Sequence, residues 1–147
     1  MDTKTQLGNA LKDAMRAKDE TRKSTLRMAL TSIRLAEVDN RGPLDENAVL
    51  AVLQKEVKTR QESIVDAERA GRPDLVAAAE AEMEILKPFL PQQLSSDELE
   101  ALAQEVINEV GATDMRQMGL VMKSLMPRLQ GRATGDQASQ AVRKLLQ

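Results

Sequence analysis

Apolar residues recur along this chain at spacings of three and four, and no segment alternates cleanly at a spacing of two. That period belongs to an α-helix with one face turned to a core, and it argues against half-buried strands. The reading is therefore an all-α protein. The chain also carries a single aromatic residue, Phe89, so its core must be built from Leu, Ile, Val, Ala and Met. Those residues, with Lys, Glu, Gln and Arg outside, are strong helix formers. A length of 147 residues suffices for one domain or two small ones.

Breaks in the period divide the chain. A first helix runs from Thr3 or Thr5 to Lys18, with Leu7, Leu11, Ala14 and Met15 on one face. A second spans roughly Thr21 to Val38 with Leu26, Leu30 and Ile33 inward, and "DNRGP" stops it at Gly42 and Pro43. Asp45 is an N-cap for a third, which runs to about Ala70 with Val49, Val52, Leu53, Val57 and Ile64 inward. "AGRPDL" ends it, Gly71 suiting the position just past a helix. A fourth holds Leu75, Ala79, Met83 and Leu86. These four predict an N-terminal helical domain over residues 1–90. In "KPFLPQQLSS" two prolines within four residues forbid a continuous helix, so residues 87–95 read as a linker, with Phe89 and Leu90 packed against one domain.

A three-helix C-terminal domain follows over residues 91–147. Ser95 and Glu98 form a capping box for its first helix, which carries Leu99, Leu102, Val106 and Val110 and ends at Gly111. In the next, Met115, Met118, Met122 and Met126 recur at three, four and four. Such a stripe can serve as a soft docking surface, but at helical spacing it is more often core, and core is the expectation. Pro127 and Gly131 are expected to end that helix, and Thr134 with Gln137 to cap the last, which carries Ala138, Val142 and Leu145.

Several chemistries are excluded by what is missing. With no cysteine and no histidine, disulfides, thiolate or imidazole metal sites and Cys-His or Ser-His catalytic pairs are impossible. The absence of cysteine and of a signal-like or membrane-spanning start suggests a cytoplasmic protein with no membrane partner. Glu80, Glu82 and Glu84 alternate around a helix and read as a solvated face. Ser95 and Ser96 are explained by capping. No catalytic residue, no metal ligand and no cofactor is expected. "GRATGD" lacks the lysine and hydroxyl of a nucleoside-triphosphate loop, yet the helix start at Thr134 beside Arg128 and Arg132 suits a looser phosphate contact.

Charge is uneven although the net is only -2. Residues 73–110 carry one basic and nine acidic side chains, and residues 111–147 carry six and two. A basic tail behind an acidic belt suits an anionic partner; the plainer alternative is ordinary solvated helix faces. With one aromatic ring, RNA would have to be held through phosphates, 2′-hydroxyls and shape.

Four segments, "STLRMALTSIRLAEVD", "LDENAVLAVLQKEVKTRQESIVDAERAGRPDL", "EILKPFLPQQLS" and "MGLVMKSLMPRLQGRATG", occur in that order. On them the chain resembles the YqeY family, of the GatB/YqeY type, over essentially its whole length. The resemblance implies an all-α protein with a small C-terminal three-helix domain. It implies kinship with the tail of the B subunit of the tRNA-dependent amidotransferase, a glutamine-dependent carbon–nitrogen ligase whose tail helps hold tRNA while its catalytic parts lie elsewhere. The family motif includes Gly119, Lys123, Gly131, Arg132 and Gly135; where this chain has Thr134 the family more often has an acidic residue. The expected function is therefore a non-catalytic, tRNA-binding or tRNA-associated protein, monomeric. Lys123, Arg128, Arg132, Arg143 and Lys144 are its candidate phosphate contacts, Arg132 foremost. For Arg143 and Lys144 the competing role is to complement a helix C-terminus. The alternative function is an adaptor that docks an amidotransferase or aminoacyl-tRNA synthetase subunit through the Met stripe and acidic belt.

Overall fold

The computed structural model describes residues 2–147 and is all-α, with no strand among those residues. Its helices are α1 (Thr3–Arg16), α2 (Glu20–Asn40), α3 (Glu46–Arg69), α4 (Pro73–Leu86), α5 (Ser96–Val110), α6 (Met118–Leu129) and α7 (Gly135–Leu146). Short 3-10 turns occupy Lys87–Phe89 and Met115–Gln117. The chain divides into two compact units, Met1–Leu90 and Pro91–Gln147.

In the first unit each of the first three helices begins on an aspartate whose carboxylate accepts from a backbone N–H three residues on: Asp2 from Thr5, Asp19 from Arg22, Asp45 from Ala48. Helix α4 has no side-chain cap and instead starts with Pro73, whose missing N–H costs nothing there. The core joins Leu7 and Ala14 of α1, Leu26, Ala29 and Ile33 of α2, Leu53 and Val57 of α3, and Met83 and Leu86 of α4. Phe89 and Leu90 pack against this cluster. Two expected core positions lie outside it: Met15 and Leu75 are about half exposed, at 50% and 47%. Both sit near a helix end, where the turn carries the stripe away from the core.

In the second unit α5, α6 and α7 share a core of Leu99, Ala103, Val106 and Ile107, Val121, Leu125 and Leu129, and Ala138, Ala141, Val142 and Leu146. Four alanines, Ala133 included, allow close helix approach without aromatic bulk. Both capping boxes form, Ser95 with Glu98 and Thr134 with Gln137.

Two expectations about α6 are corrected. Of the two residues expected to end the helix, Gly131 does so, but Pro127 lies inside it: the helix continues to Leu129, which is only 3% exposed and extends the Val121–Leu125 stripe by one more turn. The stop falls at Gln130 and Gly131, both left-handed, with φ of 49° and 77°. The Met stripe is not the core stripe. Met118 and Met122 pack at the edge of the core, whereas Met115 and Met126 are 38% and 45% exposed.

Candidate nucleic-acid interface

The five basic residues singled out from the sequence all lie in the second unit, on two elements and one turn: Lys123 and Arg128 on α6, Arg132 in the turn, Arg143 and Lys144 in the last turn of α7. Three of them are paired with carboxylates spaced along α5. Arg128 grips Glu109 through both Nη atoms, Nη1 to Oε1 at 3.2 Å. Lys144 Nζ donates to Glu100 Oε1 at 2.8 Å, and Arg132 Nη2 lies 3.8 Å from Glu98 Oε2. The effect shows in protonation: the Arg128 hydrogen bond holds the Glu109 carboxyl below the usual glutamate range, and Glu100 raises the Lys144 ammonium. In this unit, then, the basic tail finds much of its counter-charge in the acidic belt of its own chain. Such exposed pairs are weak, because solvent screens them.

Arg132 does more than pair. Its Nε donates to the Gln92 carbonyl at 2.9 Å, and its own carbonyl accepts from Leu94 N–H at 2.8 Å. Gln93 Nε2 donates to the neighbouring Gly131 carbonyl at 2.9 Å. The passage from Gln130 to Thr134 is thus a turn clasped to the segment that leads into α5. Its glycine serves the left-handed helix stop, and its arginine the clasp.

Lys123 and Arg143 are exposed and have no ion-pair partner among the described residues. Lys123 sits on the outward face of α6, three residues after Leu120 and four before Pro127; Leu120 is 49% exposed. One turn earlier on the same side stands Gly119, and a Cβ built there would meet nothing within 4 Å. Packing within the unit therefore does not call for glycine, which costs an exposed helix about 0.8–1 kcal/mol relative to alanine. Pro127 has no N–H to give the carbonyl four residues back, so the Lys123 carbonyl lacks its helical donor. The outer face of α6 thus offers an ammonium donor, a carbonyl acceptor and a strip of bare backbone, flanked by Leu120 and Met126.

One polar group was missed by the reading of the sequence. Arg60 is 5% exposed inside the first unit, with Nη1 2.7 Å from Glu56 Oε2 and Nε 3.2 Å from Glu82 Oε2. Glu82 is therefore not part of a purely solvated face, as its alternation with Glu80 and Glu84 suggested. A signal was present: Arg60 interrupts the apolar series Leu53, Val57, Ile64 at helical spacing, and Glu56 precedes it by four. Among the described residues no group of three or more Asp and Glu is placed to hold a metal ion. No helix among them is long and apolar enough to cross a membrane.

Comparison with known proteins gives the family. The family described as Yqey-like protein matches residues 4–146. "Altered inheritance of mitochondria protein 41, mitochondrial" of Eremothecium gossypii is 36% identical over 115 residues, 76% of this chain and 63% of that protein. Its namesake in Lachancea thermotolerans is 36% identical over 113 residues, 75% of this chain and 60% of that protein. The Saccharomyces cerevisiae protein of that name is 36% identical over 91 residues, 61% and 49% of the two chains. The matches thus span about three-fifths of the first two relatives. Their names overturn the expectation of a cytoplasmic location. That expectation rests largely on missing cysteines, and a chain without thiols carries no mark of its redox compartment. The family match over residues 4–146, nearly the whole chain, establishes that the chain belongs to the Yqey-like protein family.

Proposed function

We propose that this chain is a non-catalytic, tRNA-associated helical protein, related to the tRNA-dependent amidotransferase through its C-terminal unit, and that it meets RNA on the outer face of α6. The supporting observation is the pairing of unpartnered Lys123 with open Gly119 one turn away. Bare backbone lets a flat or rigid partner come close. The ammonium suits a phosphate, and the carbonyl released by Pro127 suits a ribose 2′-hydroxyl. Arg143, free at the end of α7, adds a second charge; Arg132 belongs to the fold. A direct test is tRNA binding by Gly119→Leu, followed by fluorescence anisotropy. A side chain there meets nothing in the unit, so the unfolding midpoint should not fall while affinity drops roughly tenfold, about 1.4 kcal/mol. Unchanged affinity would remove α6 from the interface.

A protein adaptor is the second reading, favoured by the exposure of Leu120 and Met126 on the same helix. Under it, Leu120→Ser with Met126→Gln abolishes capture of an amidotransferase or aminoacyl-tRNA synthetase subunit and leaves tRNA affinity unaltered. Loss of tRNA binding in that variant would instead return the face to RNA.

A further inference from the structure

The first unit holds a groove of about 720 Å³ between α2 and α3, within the size range of small-molecule sites. At its base Ser32 donates to Glu56 Oε1 at 2.7 Å, and Glu56 Oε2 faces Arg60 at 2.7 Å. The helices are antiparallel across a short turn, so with Ser32 opposite Glu56, one turn further places Arg27 and Met28 level with Arg60. Arg27 lines the groove and is exposed, without an ion-pair partner among the described residues. Lys23, one turn further, reaches only Glu20, at 3.7 Å. Ser24, Thr31 and Thr59 contribute hydroxyls.

Buried Arg60 is not fully satisfied. Its Nε, although 3.2 Å from Glu82, is out of line for a hydrogen bond and has no acceptor. A buried donor left unused calls for an explanation. Two carboxylates more than neutralise the guanidinium and Glu20 offsets Lys23, so among the described lining residues the cation left without a carboxylate partner is Arg27 on α2. Glu20 also lines the groove, two turns along α2 from Arg27, and pairs there with Lys23, so an anion would compete with it for the Lys23 ammonium.

We propose that this groove binds a phosphate ester carried on a hydroxyl-bearing ligand, with Arg27 and Lys23 on the phosphate and Thr31 and Thr59 on the sugar hydroxyls. The phosphate can come from a free nucleotide or sugar phosphate, or from an RNA backbone. The site lies wholly in the first unit and does not rest on the α6 face.

The test is amide NMR of the full chain titrated with uridine monophosphate, with uridine, and with a short single-stranded RNA. The expected result is saturable shifts at residues 23–32 and 56–60 with a phosphorylated probe and none with uridine. Arg27→Glu, an exposed change that leaves the remaining spectrum in place, should weaken that binding by roughly tenfold or more. Binding by the mononucleotide identifies a small phosphate ester; shifts with the oligonucleotide alone identify an RNA backbone. The proposal is overturned if uridine binds as well as its monophosphate, if Arg27→Glu leaves affinity unchanged, or if neither phosphorylated probe moves those amides.

Discussion

Arg132 and Lys123 show how differently two cations of one motif can be used. The Arg132 guanidinium is held by the Gln92 carbonyl, and its main chain by Leu94 N–H. Removing the side chain should loosen residues 91–94 rather than unfold the unit. A lost hydrogen bond of about 1 kcal/mol predicts roughly fivefold faster exchange of the Leu94 amide in Arg132→Ala, read by hydrogen–deuterium exchange. Arg128 allows a cleaner electrostatic test. It lowers the Glu109 carboxyl, so the pair contributes above the ordinary glutamate range and is lost as pH falls through the depressed value. In Arg128→Ala the NMR titration midpoint of Glu109 should move up toward an ordinary glutamate, and the stability deficit of the variant relative to wild type should shrink as pH falls through the glutamate range. Arg60 is the costly residue. Arg60→Ala leaves Glu56 and Glu82 facing one another without their cation, and about 3–5 kcal/mol should be lost in urea unfolding of the first unit.

Among the elements, three caps were legible in the sequence, whereas those at Asp2 and Asp19 were not read from it. Asp45, Ser95 and Thr134 each announce a helix start because a short polar side chain three residues ahead of a backbone N–H is a local signal. What escaped was register within a stripe. Helix α6 presents apolar residues on more than one face, so spacing alone could not separate the Met series from Val121, Leu125 and Leu129, one position away. Pro127 misled for a related reason: its cost is local, while the reward for continuing, burial of Leu129, lies in tertiary packing. The candidate site was legible in its residue types and not in its partners, because Glu98, Glu100 and Glu109 meet Arg132, Lys144 and Arg128 only through the fold. Helix α6 carries its own prediction. With space around Gly119, Gly119→Ala should stabilise the unit by about 0.5–1 kcal/mol, measured as a higher urea midpoint. A fall would mean that the backbone there is constrained by something other than a ligand.

Over the whole molecule, charge limits what kind of RNA partner the protein can be. Residues 1–90 carry 15 basic and 16 acidic side chains, and residues 91–147 carry six and seven, so each unit is net -1. Neither is a general sink for polyanions, and any RNA contact must be local and few in number. That sets the decisive measurement: tRNA affinity as a function of salt, for wild type and for Lys123→Glu combined with Arg143→Glu. Two phosphate contacts predict a log–log slope of about -1.4 to -1.8 for wild type, at roughly -0.7 to -0.9 per contact, and a nearly flat, weakened response in the double variant. Absence of wild-type binding at low salt, or a double variant with the wild-type slope, would contradict the RNA-contacting role of the α6 face.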